Sequence, residues 1–208
     1  MTVTIKYQSQ FSNDTLTSYT KQWATAHGDI KNAEAPGFVK DVGAITGGAP
    51  GDWLNGNQYA IGSSHGADTG MIITGELHYS FMFQHTFYGK MESLELGENL
   101  SGNPNGIGKQ LDQVQLKICG LDITGDYDPA KTMAENHQGE MHKATYGLMR
   151  GNAEPLLEIL QAKGIDVNTP LKDMAIASQF DTTSEMVADA PMIDTIGSYD
   201  GADILMAA

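Results

Sequence analysis

The order of hydrophobic patterns constrains the fold of this chain most strongly. Between Trp53 and Ile123, short runs of alternating apolar and polar residues follow one another closely, separated by glycine-rich breaks. Alternation with a period of two is typical of half-buried strands, and close spacing favours an antiparallel meander. After Asp128 the apolar residues recur at helical spacing instead. Strands first and helices second predict an α+β fold, with a curved antiparallel sheet and helices packed on one face.

The sequence predicts a strand at each alternating run. A first strand is expected where Val3, Ile5 and Tyr7 alternate with polar residues. The main series begins around Trp53, and a glycine- and asparagine-rich loop is expected at residues 99–109. The strands predicted in this series are residues 58–62, 70–75, the segment around Tyr79, 85–90, 93–96, 113–120 and 121–123.

Helices are predicted where apolar residues recur every three or four positions. The first is expected to be capped by Asn13 or Asp14, to end at Gly28, and to bury Leu16, Tyr19, Trp23 and Ala26. Three more are expected in the second half of the chain. One buries Met141, Thr145, Leu148 and Met149 and ends near Arg150, one is capped by Asn152 and stops at Gly164, and one starts at Thr169 and Pro170.

The stretch 75–89 carries the most distinctive chemistry. It is predicted to form strand, loop and strand around a polar break at Gln84, with Tyr79 and His85 at the two ends of the loop. A neutral imidazole that accepts the phenolic hydrogen bond makes the oxygen more anionic and a better ligand for Fe(III). Tyrosinate is also a known axial ligand of ferric haem. Taken alone, the pair is more simply interpreted as two ordinary hairpin residues, because strands are rich in aromatics.

Charge and cysteine content exclude several classes of protein. The 208 residues include 26 acidic and 12 basic side chains, a net charge of -14, which argues against nucleic acid or an anionic membrane as partner. The single cysteine, Cys119, cannot form an internal disulfide. Val114, Leu116 and Ile118 are expected on one face of its strand and Cys119 on the other, so we interpret Cys119 as structural.

Two segments lack periodicity. Residues 29–52 are rich in glycine and proline, and an irregular run of that length is usually a functional loop or disordered. The tail from Phe180 onward ends in a short apolar sequence, which composition alone suggests is a frayed end. With neither a secretory leader nor a stretch of about 20 apolar residues, these signals alone would suggest a cytoplasmic protein.

Several motifs in fixed order nevertheless carry a resemblance. They comprise residues 22–24 in the first helix, the strand 58–61, the aromatic stretch 77–89, residues 101–102, and the segment 137–149 with His137 and His142. Over essentially its whole length the chain resembles the HasA-type haemophores. These are secreted bacterial proteins that scavenge haem, are not enzymes, and deliver their cargo to an outer-membrane receptor.

The resemblance implies a haem site. Tyr79 would be the tyrosinate ligand of ferric haem b and the metal ligand, with His85 as its hydrogen-bond partner, although the interval between them is shorter than in some members. Asn32 stands where several members carry a second axial histidine, so a five-coordinate iron or a weak sixth ligand such as water is expected. Haem would lie between two loops at one edge of the sheet.

The resemblance also implies which residues line the haem pocket. The long loop would close over haem through Ala33, Pro36 and Phe38. Apolar contacts are expected from Phe81, Phe87, Tyr146 and Met149, with His142 nearby. Ordinary core packing explains those four apolar side chains equally well.

Export and domain organisation follow from the same resemblance. Residues 1–185 would form a single haem-binding domain, and residues 186–208 a tail with an uncleaved type I secretion signal. This replaces the frayed-end and cytoplasmic interpretations with an extracellular one. The implied partners are haem, host haemoproteins as its source, a type I ABC exporter and the outer-membrane receptor, with no nucleic acid and no membrane insertion.

Scavenging fits the physical chemistry of these parts. Haem is a large apolar plate, and its burial gains about 25 cal/mol per Å². An anionic oxygen prefers Fe(III), and acidification through the histidine range is expected to weaken retention by protonating His85.

Alternatives from other classes remain. A secreted peroxidase-like haem enzyme would need an acid/base pair opposite Tyr79, and none is evident. An adhesin or effector exported by the type I route would bind no cofactor. A zinc site at His137 and His142 is disfavoured, because residues five apart do not share a helix face.

Overall fold

The computed structural model describes residues 2–29, 37–39, 53–63, 65–80, 84–105 and 108–180. Seven strands within these ranges form one sheet: β1 (Thr4–Tyr7), β2 (Gly37–Val39), β3 (Trp53–Gly62), β4 (Thr69–Ser80), β5 (Thr86–Gly102), β6 (Lys109–Gly125) and β7 (Ala177–Gln179). The helices are α1 (Leu16–His27), α2 (Met133–Asn136), α3 (Glu140–Met149) and α4 (Glu154–Ala162). Short 3-10 turns lie at Ser9–Phe11 and Leu171–Asp173.

The sheet is an antiparallel meander with one exception. Its order is β2-β3-β4-β5-β6-β1-β7. All neighbours pair antiparallel except β1 and β7, which are parallel. The predicted α+β class with an antiparallel sheet is therefore confirmed.

The core lies between the helices and one face of the sheet. Side chains of α1, α3 and α4 join those of the long strands in the main cluster, with Leu16, Trp23, Leu148 and Leu156 among the helical members. A smaller cluster, formed by Ala60, Ile72, Leu111 and Val114, contains no helical residue. The helices therefore cover one face, as predicted.

Helix α1 begins and ends through local chemistry. Its N-cap is Thr15, whose hydroxyl accepts the Ser18 N–H at 2.9 Å, so the predicted caps Asn13 and Asp14 were wrong by one or two positions. Asp14 instead accepts the Ser18 hydroxyl. Ala24, not Ala26, is buried, because the buried face continues from Thr20 through Ala24 to His27.

The predicted interruptions in the strands were wrong. Strand β5 runs without a break across residues 90–93 and 99–102, where separate strands and a loop were expected. Register shifts beside Met91 and Gly97 absorb extra residues, which disrupts alternation in the sequence while pairing continues. Val114 consequently packs in the smaller cluster while Leu116 and Ile118 pack in the main one, contrary to the prediction of a shared face.

The C-terminal part differs in detail from the prediction. The helix expected at Thr169 and Pro170 is only the 3-10 turn, because Met174 already returns to extended backbone. Asn152 lies one residue before the N-cap Ala153 and accepts the Glu154 N–H at 3.0 Å. Helix α2 and strands β2 and β7 were not predicted, since elements of three or four residues carry too little periodicity. Strand β2 lies within residues 29–52, which were expected to be irregular. No helix of the described ranges is long and apolar enough to cross a membrane.

Candidate functional site

Strands β4 and β5 bring Tyr79 and His85 together. Tyr79 pairs with Phe87 near the end of the two strands. Just before β5, Gln84 and His85 both adopt left-handed backbone, with φ of 65° and 48°. Two consecutive residues with a Cβ in this region are unusual. This conformation sets the imidazole beside the phenol, and 3.0 Å separates Tyr79 Oη from His85 Nδ1.

The Tyr79 phenol is held in its neutral form. Its ring is half-buried and packs on Phe87, with 4.5 Å between ring centroids. Burial raises the pKa of Tyr79, and the nearby Tyr146 phenol raises it further. A neutral phenol can donate its hydrogen to His85 Nδ1, which puts the ring proton of that histidine on Nε2. The pair is thus a protonated oxygen beside a base, and a cation at the oxygen would displace the proton.

A second histidine supports this strand end from the helical side. His142 of α3 is buried, and its Nδ1 accepts the backbone N–H of Phe87 at 3.2 Å. Burial, with a smaller contribution from His137, lowers the pKa of His142 to about 4. His142 is therefore a neutral acceptor at physiological pH, which fits the hydrogen bond it makes.

The turn before β5 is fastened to the segment that contains α2. The Gln84 carbonyl lies 2.6 Å from His137 Nε2, and the Gln84 side-chain oxygen accepts from Asn136 Nδ2, also at 2.6 Å. Gln84 Nε2 donates to the Lys131 carbonyl at 2.9 Å. Sequence reasoning did not single out Gln84 and Asn136 as site residues, because these contacts join positions about fifty apart.

The other predicted site residues fall into three groups. Phe87 and Met149 belong to the main core and are 2% and 8% exposed, so packing accounts for both. Tyr146 is half-buried and stacks on His142, with 5.3 Å between centroids. Asn32, Ala33, Pro36 and Phe81 lie outside the described residues, and Phe38 is described only as backbone of β2.

An open cleft adjoins this cluster on the helical side. It has a volume of about 610 Å³, and its lining includes His137, His142, Lys143, Tyr146 and Arg150. This volume lies within the usual range for small-molecule sites. Two cations in its lining contrast with the net charge of -14 of the whole chain.

The end of α1 is tied to the same cleft. Arg150 Nε donates to Asp29 Oδ1 at 2.5 Å, and Arg150 Nη1 donates to the Tyr146 hydroxyl at 3.3 Å. His65 Nε2 lies 2.9 Å from the Asp29 carbonyl. Asp29 is therefore linked to Tyr146 through Arg150. Asp29 and Arg150 are 121 positions apart, so the sequence carried no signal for the pair.

The described side chains at this site suit an iron atom that is already bound by the ligands of a cofactor. Across the described ranges, no group of three or more His, Cys, Asp and Glu side chains is arranged to hold a metal. His137 and His142 stack face to face with 3.8 Å between centroids, so they do not converge on an ion. A single phenol with an adjacent acceptor instead fits the axial position of a metal already held in a macrocycle.

Comparison with known proteins gives a consistent result. Residues 1–208 match the family described as "Heme-binding protein A (HasA)". "Hemophore HasA" of Serratia marcescens is 32% identical over 185 residues, covering 86% of this chain and 92% of that protein. The apo structure of the hemophore HasA from Yersinia pestis is 46% identical with a TM-score of 0.77, over 87% of this chain and 100% of that one. The holo hemophore HasA from Yersinia pestis gives 45% identity, a TM-score of 0.77 and the same coverage.

Proposed function

The chain belongs to the HasA family of haem-binding proteins, and on that premise we propose that it captures ferric haem outside the cell through a Tyr79 tyrosinate and delivers it to an outer-membrane receptor. Members of this family are haem carriers and not enzymes. Membership therefore sets aside the peroxidase-like alternative and the cofactor-free adhesin or effector.

The contact between Tyr79 and His85 carries the ligand assignment. A phenol is a poor ligand while protonated, and the raised pKa of Tyr79 keeps it protonated until a cation arrives. His85 Nδ1, 3.0 Å from Tyr79 Oη, can accept the phenolic hydrogen and increase the negative charge on the oxygen. Ferric haem b would supply the iron and four of its ligands, and Tyr79 would supply the fifth.

The side chains proposed to line the haem pocket differ in how deeply they are buried. Tyr146, half-buried beside the cleft, is the described aromatic side chain best placed to contact the porphyrin. Phe87 packs against the Tyr79 ring from within the core, and the His142 ring lies 6.0 Å from that of Phe87. Met149 belongs to the same core cluster as Phe87. We retain Phe38, Phe81 and Asn32 as proposed contacts on sequence grounds, with Asn32 too weak a donor to serve as a sixth ligand.

Export and delivery are proposed from family membership. Residues 186–208 would be read by a type I ABC exporter, host haemoproteins would be the source of haem, and an outer-membrane receptor would accept it. The net charge of -14 agrees with a freely diffusing carrier, because anionic membrane surfaces repel it.

A haemin titration tests the proposal. The wild-type protein is expected to shift the Soret band and to develop a tyrosinate-to-iron charge-transfer band. Tyr79→Ala should abolish that band, and His85→Ala should weaken haem retention. Tyr88→Ala is a matched control, because Tyr88 is a half-buried tyrosine that stacks on His78 instead of His85. An unchanged spectrum and affinity in Tyr79→Ala would refute the ligand assignment.

A further inference from the structure

Apart from its backbone N–H, Gln84 has three polar groups, and each of them forms a hydrogen bond with the segment 131–137. Its carbonyl accepts from His137 Nε2, its side-chain oxygen accepts from Asn136 Nδ2, and its amide nitrogen donates to the Lys131 carbonyl. The first two distances are both 2.6 Å. We refer to Gln84, Asn136 and His137 as the clamp.

The residues of the clamp on the helical side are themselves held in place by further hydrogen bonds. Asn136 is 3% exposed, and its side chain also bonds both backbone groups of Asp128, accepting the N–H at 3.0 Å and donating to the carbonyl at 2.9 Å. The capping box between Thr132 and Glu135 fixes the start of α2. Buried amides satisfied in this way rigidify the segment that contains them.

His137 links the clamp to the other side of the turn. Its ring stacks on His142, with 3.8 Å between centroids, and His142 Nδ1 accepts the Phe87 N–H. The backbone is therefore tied to the helical segment both immediately before His85, at Gln84, and two residues after it, at Phe87. His85 itself is exposed, and its ring contacts Tyr79, with 6.2 Å between ring centroids.

The turn needs such support because its backbone is disfavoured. Gln84 and His85 have φ of 65° and 48°, a region that residues with a Cβ enter rarely. Without external hydrogen bonds the chain would relax toward commoner conformations, and the His85 ring would leave Tyr79. Strained backbone persists where surrounding contacts over-determine it.

From these contacts we infer that Gln84, Asn136 and His137 are positioning residues that hold His85 Nδ1 against the Tyr79 phenol before haem arrives. This inference rests on the proposed function and deepens it. The acceptor is preorganised, so binding does not have to order it. Loss of the hydrogen-bond partner of a metal ligand typically changes metal affinity by about 10–100-fold, and the clamp would act through that partner.

Two variants weaken the clamp with little change of shape. His137→Phe retains an aromatic ring to stack on His142 but cannot donate to Gln84, whereas His137→Gln restores a donor near the same position. Gln84→Asn introduces a residue that tolerates left-handed backbone, but its shorter side chain loses the hydrogen bonds to Asn136 and Lys131. Thr17→Val is the destabilisation control, because it removes the 2.9 Å hydrogen bond to Asn168 elsewhere in the chain.

The readout is the rate of haem transfer from each loaded variant to apomyoglobin, measured with and without His85→Ala. Weakening the clamp should speed haem transfer about tenfold when His85 is present. In the His85→Ala background the same change should speed it less than about twofold, because effects of residues that act through one another are not additive. His137→Gln should restore the wild-type rate, and Thr17→Val should not change it.

A haem-free measurement keeps the test decisive if a variant loads poorly. Nitrogen chemical shifts of the His85 ring should show Nδ1 as a hydrogen-bond acceptor in the wild-type protein, and this signature should be lost in His137→Phe and Gln84→Asn. Equal acceleration with and without His85, or an unchanged His85 ring signature, would overturn the clamp. A failure of the proposed function is distinct, because the wild-type protein would then show no haem spectrum dependent on Tyr79.

Discussion

At the scale of single residues, the site combines a phenol that burial keeps neutral with a ring nitrogen placed to accept its hydrogen bond. Burial raises the pKa of Tyr79, and Tyr146 adds to the effect, while His85 Nδ1 lies 3.0 Å from the oxygen. On the proposed function, iron would therefore have to displace a proton in order to bind Tyr79. The same arrangement favours oxidised over reduced iron, because an anionic oxygen interacts more strongly with the higher charge.

Haem uptake is expected to release about one proton per haem from the Tyr79 phenol, since a neutral tyrosine becomes a tyrosinate. Calorimetric titrations with haemin in two buffers of different ionisation enthalpy measure the number. Tyr79→His is the matched control, because a neutral imidazole ligand loses no proton. Equal proton release by the two proteins would contradict a change of protonation at Tyr79.

Two buried histidines should make stability depend on pH. Burial lowers the pKa of His142 and of His27 to about 4, in each case with a smaller effect from a neighbouring histidine. The unfolded chain, with a histidine pKa near 6.5, then binds more protons than the folded one between about pH 6.5 and 4. The free energy of unfolding should be fully retained above this window. It should fall within the window by about 1.4 kcal/mol per pH unit for each group.

Urea unfolding at a series of pH values checks this dependence. His142→Gln retains an oxygen that can accept the Phe87 N–H but does not titrate, so its slope should be lower by about one proton. His27→Gln serves as the parallel case on α1, where His27 Nδ1 contacts Thr69 Oγ1 at 3.1 Å. Slopes that match the wild-type protein in both variants would show that neither histidine is held neutral by folding.

At the scale of elements, the strand end that carries Tyr79 depends on close backbone approach between β4 and β5. Gly89 has φ of 101°, and a Cβ at this position would collide with the Glu76 carbonyl. Gly102, at the other end of β5, has open space around it. The same substitution therefore has different consequences at the two ends of one strand.

Gly89→Ala is expected to lower the free energy of unfolding by about 2 kcal/mol or more, through strain and a backbone clash. Gly102→Ala should change it by less than about 0.5 kcal/mol. Chemical denaturation of both variants measures the difference. Equal stability of the two would mean that β4 and β5 do not approach as closely as described.

The sequence predicted the type of each long element better than the positions at which elements begin and end. Alternation and helical spacing located the long strands, α1, α3 and α4, because each has a continuous buried stripe. A break was predicted at 90–93 because a register shift there interrupts the alternation without interrupting the pairing. The loop predicted at 99–109 began too early, because its glycine and asparagine content extends into the end of β5 at Gly102. Thr15 was missed as the cap because Asn13 and Asp14, equally good capping residues, precede it.

The candidate site was predictable only in part. Tyr79 and His85 flank a short break in an aromatic run, so sequence and family resemblance both pointed to them. The clamp and the pair of Asp29 with Arg150 join residues about fifty or more positions apart. Such contacts depend on how helices pack on the sheet, and local patterns carry no information about that.

At the scale of the whole molecule, the described residues, which end at 180, belong to one sheet with its helices and turns. We propose that residues 186–208 serve export alone. A protein truncated after residue 185 should therefore keep the wild-type haem spectrum and thermal midpoint. Truncation after residue 175 is the contrasting variant, because it removes β7, which pairs with Ile5, Lys6 and Tyr7 of β1. Its thermal midpoint should fall. Loss of haem binding in the 1–185 protein would show that the tail belongs to the domain.

Resonance Raman spectroscopy of the haem-loaded protein, excited in the charge-transfer band, tests the central claim most directly. The wild-type protein should show phenolate vibrations enhanced by coupling to iron, and Tyr79→Phe, which keeps the ring against Phe87 but lacks the oxygen, should lose them. Phenolate bands that persist in Tyr79→Phe would contradict the claim that the Tyr79 oxygen binds the iron.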